Sequence, residues 1–334
     1  MQDITKMPLV SSEITGLWNS YMGDSISICV LKYFANRVQD TETHAILQYT
    51  LDLCKKHINE ITNLFYQLHL PIPAGFSDGD VDMNAPRLFT DEFYLLYLSN
   101  MARTEMLSYN QILSNCVQSD IRNYFAKLII ESSNLYNAVV DIRSSKGIFT
   151  MFPQVEVIRN IDYIKEYIKG KDFLVDWFGE KRSLLACEIT HISLVILANI
   201  VGMTLTTGFG RVSTTKEIGE YMVKGRELAL KKIDIFTTIL ISENIPIPST
   251  SYSYVSDSIT APFSEKLMMF HIASLGTSFI SNDGMALAES LRSDLHTTYI
   301  QIATEAMIYS KAGADILIDN GWFEQPPEGI KHEN

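Results

Sequence analysis

The segment HLPIPAGFSDGDVDMNAPRLFT, residues 69–90, decides the fold because it separates two long helical patterns and continues neither. It contains three prolines and two glycines, residues that break helices and mark loops. On both sides of it, apolar residues recur every three to four positions, which is the period of an amphipathic α-helix. The segment is therefore predicted to be a long loop between two helices.

The helical period extends over four stretches, residues 12–37, 41–68, 91–115 and 119–145. No stretch of useful length alternates with the period of two that marks a strand, so the pattern predicts an all-α fold. Asp91 and Ser119 are predicted to be N-caps, and Gly147 is predicted to end the fourth helix.

Connection lengths then predict the topology. The first and second helices, and likewise the third and fourth, are joined by a few residues, which makes each pair an antiparallel hairpin. A helix of about 26 residues is about 39 Å long, and an extended loop of about 22 residues reaches about 70 Å. Residues 69–90 can thus cross the whole bundle and make the second and third helices parallel, the ferritin-like arrangement. The alternative is an up-and-down bundle with a floppy loop.

The chain is also an internal duplication. The segment SEIT at 12–15 recurs as CEIT at 187–190, and LPIP at 70–73 recurs as IPIP at 245–248, both 175 residues later. Further matches follow in the same order at offsets of 174 to 176. The sequence therefore predicts two tandem four-helix bundles, residues 1–150 and 186–334, joined by a linker with short helices at 151–185.

Composition fits a soluble protein of this size. The 334 residues suggest two domains, and 46% hydrophobic with 20% charged residues excludes wholesale disorder. Lys and Arg number 27 against 39 Asp and Glu, a formal net charge of −12. Nucleic acid is therefore not an expected partner, because its phosphates are bound by basic residues.

The ends, the cysteines and one apolar stretch bear on location. The first residues lack the basic start and apolar run of a signal peptide, which predicts a cytoplasmic protein. Four cysteines stand singly, the pattern of reduced thiols. The uncharged stretch 192–209 is a membrane candidate by length. Its polar residues and its place in the repeat favour a buried bundle helix instead, so no membrane span is expected.

Specific motifs resemble a known family. They are LPIP at 70–73, NAPRLF at 84–89, FLVDWFGEKR at 173–182 and EIT at 188–190. Together they resemble the tandem ferritin-like proteins of spore-forming bacteria catalogued as domain of unknown function 3231. The resemblance implies the fold, the duplication and a connection with spores, and it implies no activity. In the linker, Trp177 and Phe178 are expected to pack between the bundles.

The first copy places polar side chains at the middle of its apolar stripes. Ferritin-like di-iron sites take a carboxylate from each of two helices and Glu-x-x-His from each of the other two. Counting from the helix ends, four such groups fall at one height: Asp24, His57, Glu105 and Glu131. Cys54 and Asn134 stand where the template has a further Glu and a further His.

These four residues allow two interpretations. Carboxylates and an imidazole suit one divalent Fe, Mn or Zn ion, with storage or oxidase-like activity as the functional consequence. Alternatively, they form a buried hydrogen-bonded cluster left over from a lost metal site, since unpaired buried charges are costly.

The second copy lacks this set. Asn199, Lys232, Ile280 or Ser281, and Glu305 stand at the corresponding places. Lys232 is predicted to pair with Glu305 and to replace any metal. Glu188 and His191, the only Glu-x-x-His on a helix, lie in its first turns, where Glu289 and His296 can approach. A capping role is expected for them.

The functional prediction is a non-catalytic structural or interaction protein with a degenerate ferritin-like centre. The alternative is a metal-binding protein whose site is confined to the first bundle. Association of identical chains is compatible with either interpretation.

Overall fold

The structure is a computed structural model that describes residues 8–155, 182–248 and 254–328. Within these ranges it contains eight long α-helices and no strand, in agreement with the all-α prediction. The helices are α1 (Ser11–Arg37), α2 (Thr41–Gln67), α3 (Asp91–Leu113), α4 (Ser119–Ser145), α5 (Ala186–Val212), α6 (Lys216–Ser242), α7 (Glu265–Glu289) and α8 (Ser293–Asp319). Trp177, Phe178 and most of the predicted linker lie outside the described residues.

Contacts at one end of the first bundle define the directions of its four helices. There Tyr21 packs on Phe65, and Tyr109 packs on Phe125, with ring centroids 6.0 Å apart in both pairs. These pairs join the start of α1 to the end of α2, and the end of α3 to the start of α4. Ser12 at the start of α1 also donates a hydrogen bond to the carbonyl of Asn115, just after α3. Helices α2 and α3 are therefore parallel, and residues 69–90 cross the length of the bundle.

Helices α5–α8 repeat this arrangement. His191 near the start of α5 contacts Glu289 at the end of α7. Arg292, the N-cap of α8, contacts Glu243, the C-cap of α6. The ends of α6 and α7 thus lie at the same end of the bundle as the starts of α5 and α8, so α6 and α7 are parallel too.

Two of the three predicted capping residues need correction. Thr90, not Asp91, is the N-cap of α3, and its hydroxyl accepts a hydrogen bond from the Phe93 amide. Asp91 instead accepts hydrogen bonds from the backbone of residues 39 and 40, where α2 begins. Gln118, not Ser119, is the N-cap of α4. Gly147 has φ of 67° and terminates α4 as predicted.

The two crossover loops pair with each other around a pseudo-two-fold axis. The Thr90 amide donates to the Tyr254 carbonyl and the Ser264 amide donates to the Asp80 carbonyl, residues that correspond at an offset of 174. Antiparallel bridges Val81–Phe263 and Phe89–Val255 are related in the same way. The buried apolar core runs through this contact from one bundle into the other. The duplication has therefore produced an internal pseudo-dimer.

Close packing beside the two paired crossover loops depends on one glycine. Tyr33 of α1 packs on Phe263 with ring centroids 5.2 Å apart. Its counterpart in α5 is Gly208, and a Cβ at this position would lie 2.5 Å from the ring of Phe89. Because Phe89 is fully buried, the ring has little room to move. A side chain at 208 would therefore require either the Phe89 ring or the backbone of α5 to shift.

Helix α5 contains the predicted membrane candidate. Within the described residues it is the one helix long and apolar enough to cross a membrane. However, 83% of its most apolar stretch is buried inside the protein. This burial agrees with its interpretation as a core helix. All four cysteines are free thiols.

Candidate functional site

The centre of the first bundle is a chain of three side chains from three helices. His57 of α2 lies between Asp24 of α1 and Glu131 of α4. Its Nδ1 is 3.5 Å from Asp24 Oδ1, and its Nε2 is 2.8 Å from Glu131 Oε2. The side chains of His57 and Asp24 are 8% and 3% exposed. The structure thus brings together three of the four predicted residues.

Charge at this centre is balanced mainly by the histidine. Burial acts to lower the pKa of His57, but the hydrogen bonds that its ring nitrogens donate to Asp24 and Glu131 outweigh burial, so the pKa is raised. The imidazolium form is therefore favoured between two acids. Burial raises the pKa of Asp24 despite its hydrogen bond with His57.

Glu131 has additional cationic neighbours at the bundle surface. Lys56 Nζ lies 3.1 Å and Lys127 Nζ 4.0 Å from its carboxylate. Burial acts to raise the pKa of Glu131, but the hydrogen bonds from His57 and Lys56 outweigh burial and the pKa is lowered. The two lysines were missed by sequence reasoning. The i, i+4 spacing of Lys127 and Glu131 was the available signal.

Glu105 lies beside this chain without joining it. Its Oε2 accepts a hydrogen bond of 2.9 Å from the Ser132 hydroxyl of α4. Burial and the nearby charge of Asp24 raise the pKa of Glu105 to about 7. The residue is thus protonated in an appreciable fraction of molecules near neutral pH. Asn134, the residue in place of the template histidine, is exposed and points away from the centre.

The side chains at this centre pair with one another and do not converge on one point, as the ligands of a metal ion would. A histidine ligand must offer a ring nitrogen without a proton, whereas both nitrogens of His57 face carboxylates. Throughout the described ranges, no three His, Cys, Asp or Glu side chains are grouped so as to hold one metal ion. The arrangement instead resembles a buried ion-pair network.

In the second bundle Lys232 pairs with a different acidic residue from the one predicted. Lys232 Nζ lies 2.8 Å from Asp283 Oδ2 of α7, and their side chains are 6% and 1% exposed. Glu305 does not contact Lys232. It pairs instead with the neighbouring Lys231 on the outer face, 2.6 Å from Nζ to Oε1. The prediction was wrong because Glu305 faces Lys231, which lies about 100° around the helix from the buried Lys232.

Asp283 was missed because the alignment of the copies pointed elsewhere. At the offset of 174, Phe279 corresponds to Glu105, not Ile280 or Ser281, and Asp283 corresponds to Tyr109. Phe279 and Asp283 lie one turn apart on α7, within reach of the long lysine side chain. Asp283 is the one Asp, Glu, Lys or Arg between the charged ends of α7, and this position was the signal that could have identified it.

Glu188 has the predicted capping role. Its fully buried carboxylate accepts hydrogen bonds from the amides of Leu185, Leu291 and Arg292, and it pairs with Arg182. It therefore ties the start of α5 to the α7–α8 connection. His191 contacts Glu289 at 2.8 Å, while His296 bonds to the Ser290 carbonyl.

Glu13 ties the start of α1 to the α3–α4 connection in the same way. This fully buried residue accepts hydrogen bonds from the amides of Val10, Val117 and Gln118. The two glutamates are 175 residues apart and serve equivalent hairpins. Both groups are structural anchors and lie away from the bundle centres.

The comparison with protein families agrees with the duplicated architecture. A family model described as protein of unknown function (DUF3231) matches residues 2–161 and again residues 172–334. A crystal structure from Bacillus halodurans C-125, described as a candidate spore coat protein, is 14% identical with a TM-score of 0.42. That match covers 46% of this chain and 100% of the other. No curated protein matches the chain.

Proposed function

The chain belongs to the family described as protein of unknown function (DUF3231), and from this premise we propose that it is a non-catalytic structural or interaction protein. In this proposal its two halves are ferritin-like bundles whose centres have lost the metal. Charged residues remain there as internal ion pairs that hold the helices in register. The chemistry of the ancestral centre is replaced by a structural role.

The observation that carries this proposal is the position of His57 between Asp24 and Glu131. A buried charge is tolerated when it is paired and hydrogen-bonded. Here an imidazolium supplies the positive charge that a metal would otherwise supply. Since both ring nitrogens are engaged, a metal would have to displace one of the two carboxylates.

The second bundle supports the same interpretation with different residues. The Lys232 ammonium supplies the positive charge and Asp283 the negative one. Asn199, the counterpart of Asp24, donates its side-chain amide to the Val195 carbonyl of its own helix. Lys232, Asp283 and Asn199 thus each have a partner within the protein.

The alternative is one divalent Fe, Mn or Zn ion in the first bundle, held by Asp24, His57, Glu105 and Glu131. The raised pKa of Glu105, about 7, is the observation that favours it. A carboxyl group that resists ionisation in the protein alone would ionise readily beside a cation.

Metal analysis of the full chain separates the two functions. Protein purified without a chelating tag is incubated with Fe²⁺, Mn²⁺ or Zn²⁺, desalted and measured by mass spectrometry of the elements. We expect substoichiometric metal, equal in wild type and in the His57→Ala, Glu131→Ala double variant. One ion per chain that disappears in the double variant would establish the metal site and refute the proposal.

A cytoplasmic location and an association with spores stay predictions. Fractionation of the producing cells, followed by detection of the chain in each fraction, tests both.

A further inference from the structure

A surface groove runs between α6 and α8 of the second bundle. It has a volume of about 750 Å³. Its floor is formed by Tyr221, Leu228, Ile308 and Tyr309. Charged residues from both helices form its rim.

The floor is apolar, and one of its residues is open to solvent. Ile308 is 67% exposed, although it is a large aliphatic residue at the middle of a helix. Beside it, Tyr221 and Tyr309 stack with ring centroids 4.2 Å apart and an interplanar angle of 7°. Glycines at 225 and 313 leave room for these two rings. The groove therefore offers a rigid aromatic wall next to an exposed aliphatic side chain.

The rim is strongly acidic. Six acidic residues line the groove against two lysines: Glu217, Glu220, Glu227, Glu305, Asp315 and Asp319, with Lys224 and Lys231. Among the residues that the structure describes, no basic side chain pairs with Glu217, Glu227 or Asp319. A cation approaching the groove thus meets negative charge that the protein leaves uncompensated.

The corresponding surface of the first bundle shows that the fold does not require these features. Asn134 stands where the second copy has Ile308, and Ser145 stands where it has Asp319. Lys146, at the position of Asn320, pairs with Asp40 and Glu42 at 2.9 and 2.8 Å. The first copy therefore lacks the exposed isoleucine and part of the uncompensated negative charge that the second copy has at this place.

We propose that the α6–α8 groove of the second bundle is the docking site for a basic amphipathic helix of a partner protein. Apolar side chains of that helix pack on the exposed Ile308 and the half-buried Tyr309, and its Lys or Arg residues reach the acidic rim. The groove-lining part of α8, from Glu305 to Asp319, spans about 21 Å, which matches a helix of about 14 residues.

Charge selects this occupant over a second copy of the chain. The chain has a net charge of −12, and a symmetric contact through this face would bring two acidic rims together. Like charges opposed across an interface are unfavourable. A basic helix gains from the same rim.

The inference deepens the interaction role proposed above. It involves surface residues that lie outside both bundle centres. A negative result at the groove would therefore leave the metal analysis of the first centre unaffected, and the reverse also holds.

The test uses a fluorescein-labelled peptide of leucine and lysine, with leucine at helical i, i+3, i+4 and i+7 positions. It is about 14 residues long, to match the groove. Fluorescence anisotropy with the full chain measures its affinity. We expect saturable binding that weakens as salt is raised, because screening reduces the attraction to the rim.

Variants locate the binding site. Ile308→Asn, which installs the residue of the first copy, should weaken binding about tenfold through lost apolar burial. The double variant Glu217→Gln, Asp319→Asn should weaken binding and flatten its salt dependence. Ile300→Asn is the matched control, because Ile300 of α8 is 55% exposed but does not line the groove. The affinity of this variant for the peptide should equal that of wild type.

Three results would overturn the proposal. The first is equal binding of the peptide by wild type and by Ile308→Asn. The second is equal affinity for a peptide that carries glutamate in place of lysine. The third is a wild-type dimer in sedimentation analysis that Ile308→Asn converts to a monomer, which would assign the groove to a second copy.

Discussion

In the first bundle the imidazole of His57 faces two carboxylates, from α1 and α4, whereas in the second bundle the ammonium of Lys232 faces one, from α7. The two cations occupy equivalent positions of α2 and α6. Their partners do not correspond, because Asp24 is replaced by Asn199 and Tyr109 by Asp283. The duplication has kept a compensated charge at each centre while exchanging the residues that compensate it.

The difference shows how a four-helix bundle tolerates change at its centre. An imidazole is short and rigid, so both of its partners must stand at its own height. A lysine has a flexible four-carbon stem, so a carboxylate one turn away serves as well. The surface pairs do not show this difference. Glu131 contacts Lys56 and Glu305 contacts Lys231, and these two pairs stand at equivalent positions of the two copies.

The largest effect is expected from removing one partner of the buried pair in the second bundle. Asp283→Ala leaves the Lys232 charge uncompensated and should lower the free energy of unfolding by about 3–5 kcal/mol. Denaturant titration followed by circular dichroism measures this loss.

Matched variants show whether burial is the cause. Glu305→Ala removes a partner from a surface pair and should cost about 1 kcal/mol or less. The double variant Lys232→Met, Asp283→Leu removes both buried charges and should regain most of the stability lost in Asp283→Ala. Equal losses for Asp283→Ala and Glu305→Ala would contradict the assignment of the central pair.

A smaller, pH-dependent effect is expected in the first bundle. The pKa of Glu105 is raised from 4.5 to about 7, so its contribution to stability is present below pH 4.5 and is lost as the pH rises through 7. Glu105→Gln should therefore stabilise the protein at pH 8 by about 2 kcal/mol, less than the full shift implies because the residue keeps partial exposure. Thermal unfolding at pH 5 and pH 8 measures the difference.

His57 acts in the same direction, since its pKa is also raised. Its stabilising charge is present below an ordinary pKa of about 6.5 and is lost above its raised value. His57→Gln should thus lose stability mainly at low pH. A wild-type protein that becomes more stable between pH 5 and pH 8, with no change in either variant, would refute the charge assignment.

The smallest effect concerns the contact between the bundles. Gly208→Ala places a methyl group against the buried ring of Phe89, and the resulting overpacking should cost about 1 kcal/mol after the gain in helix propensity. Gly23→Ala is the control: no atom lies within 4 Å of its added Cβ, so this variant should be stabilised by about 0.5–1 kcal/mol. Melting temperatures that rise in both variants would show that the bundles separate more easily than the packing indicates.

Much of the fold could be predicted because its signals are local. Apolar spacing located all four helices of the first copy within two residues, for example α3 at Asp91–Leu113 against the predicted 91–115. The repeat predicted that the second copy would follow. Helix caps were less predictable, since Asp91 has the residue type of a cap but bonds to the start of α2 instead.

The candidate site was predictable only in part. Height along the helices correctly brought Asp24, His57 and Glu131 together. Height does not specify rotation about the helix axis, and rotation directs Glu105 towards Ser132 and Glu305 towards Lys231. The predicted contact between Lys232 and Glu305 failed for this reason.

The sequence by itself determined that the chain is all-α, duplicated and built of long helices with one long loop in each copy. These properties follow from the spacing of apolar residues within each segment and from the nearly constant offset between matching segments of the two copies. Only the tertiary structure decided which carboxylate meets which cation, and that the two loops pair through Thr90 with Tyr254 and Ser264 with Asp80. Such contacts join residues far apart in the chain, and they depend on helix rotation, side-chain reach and the close approach of the two bundles.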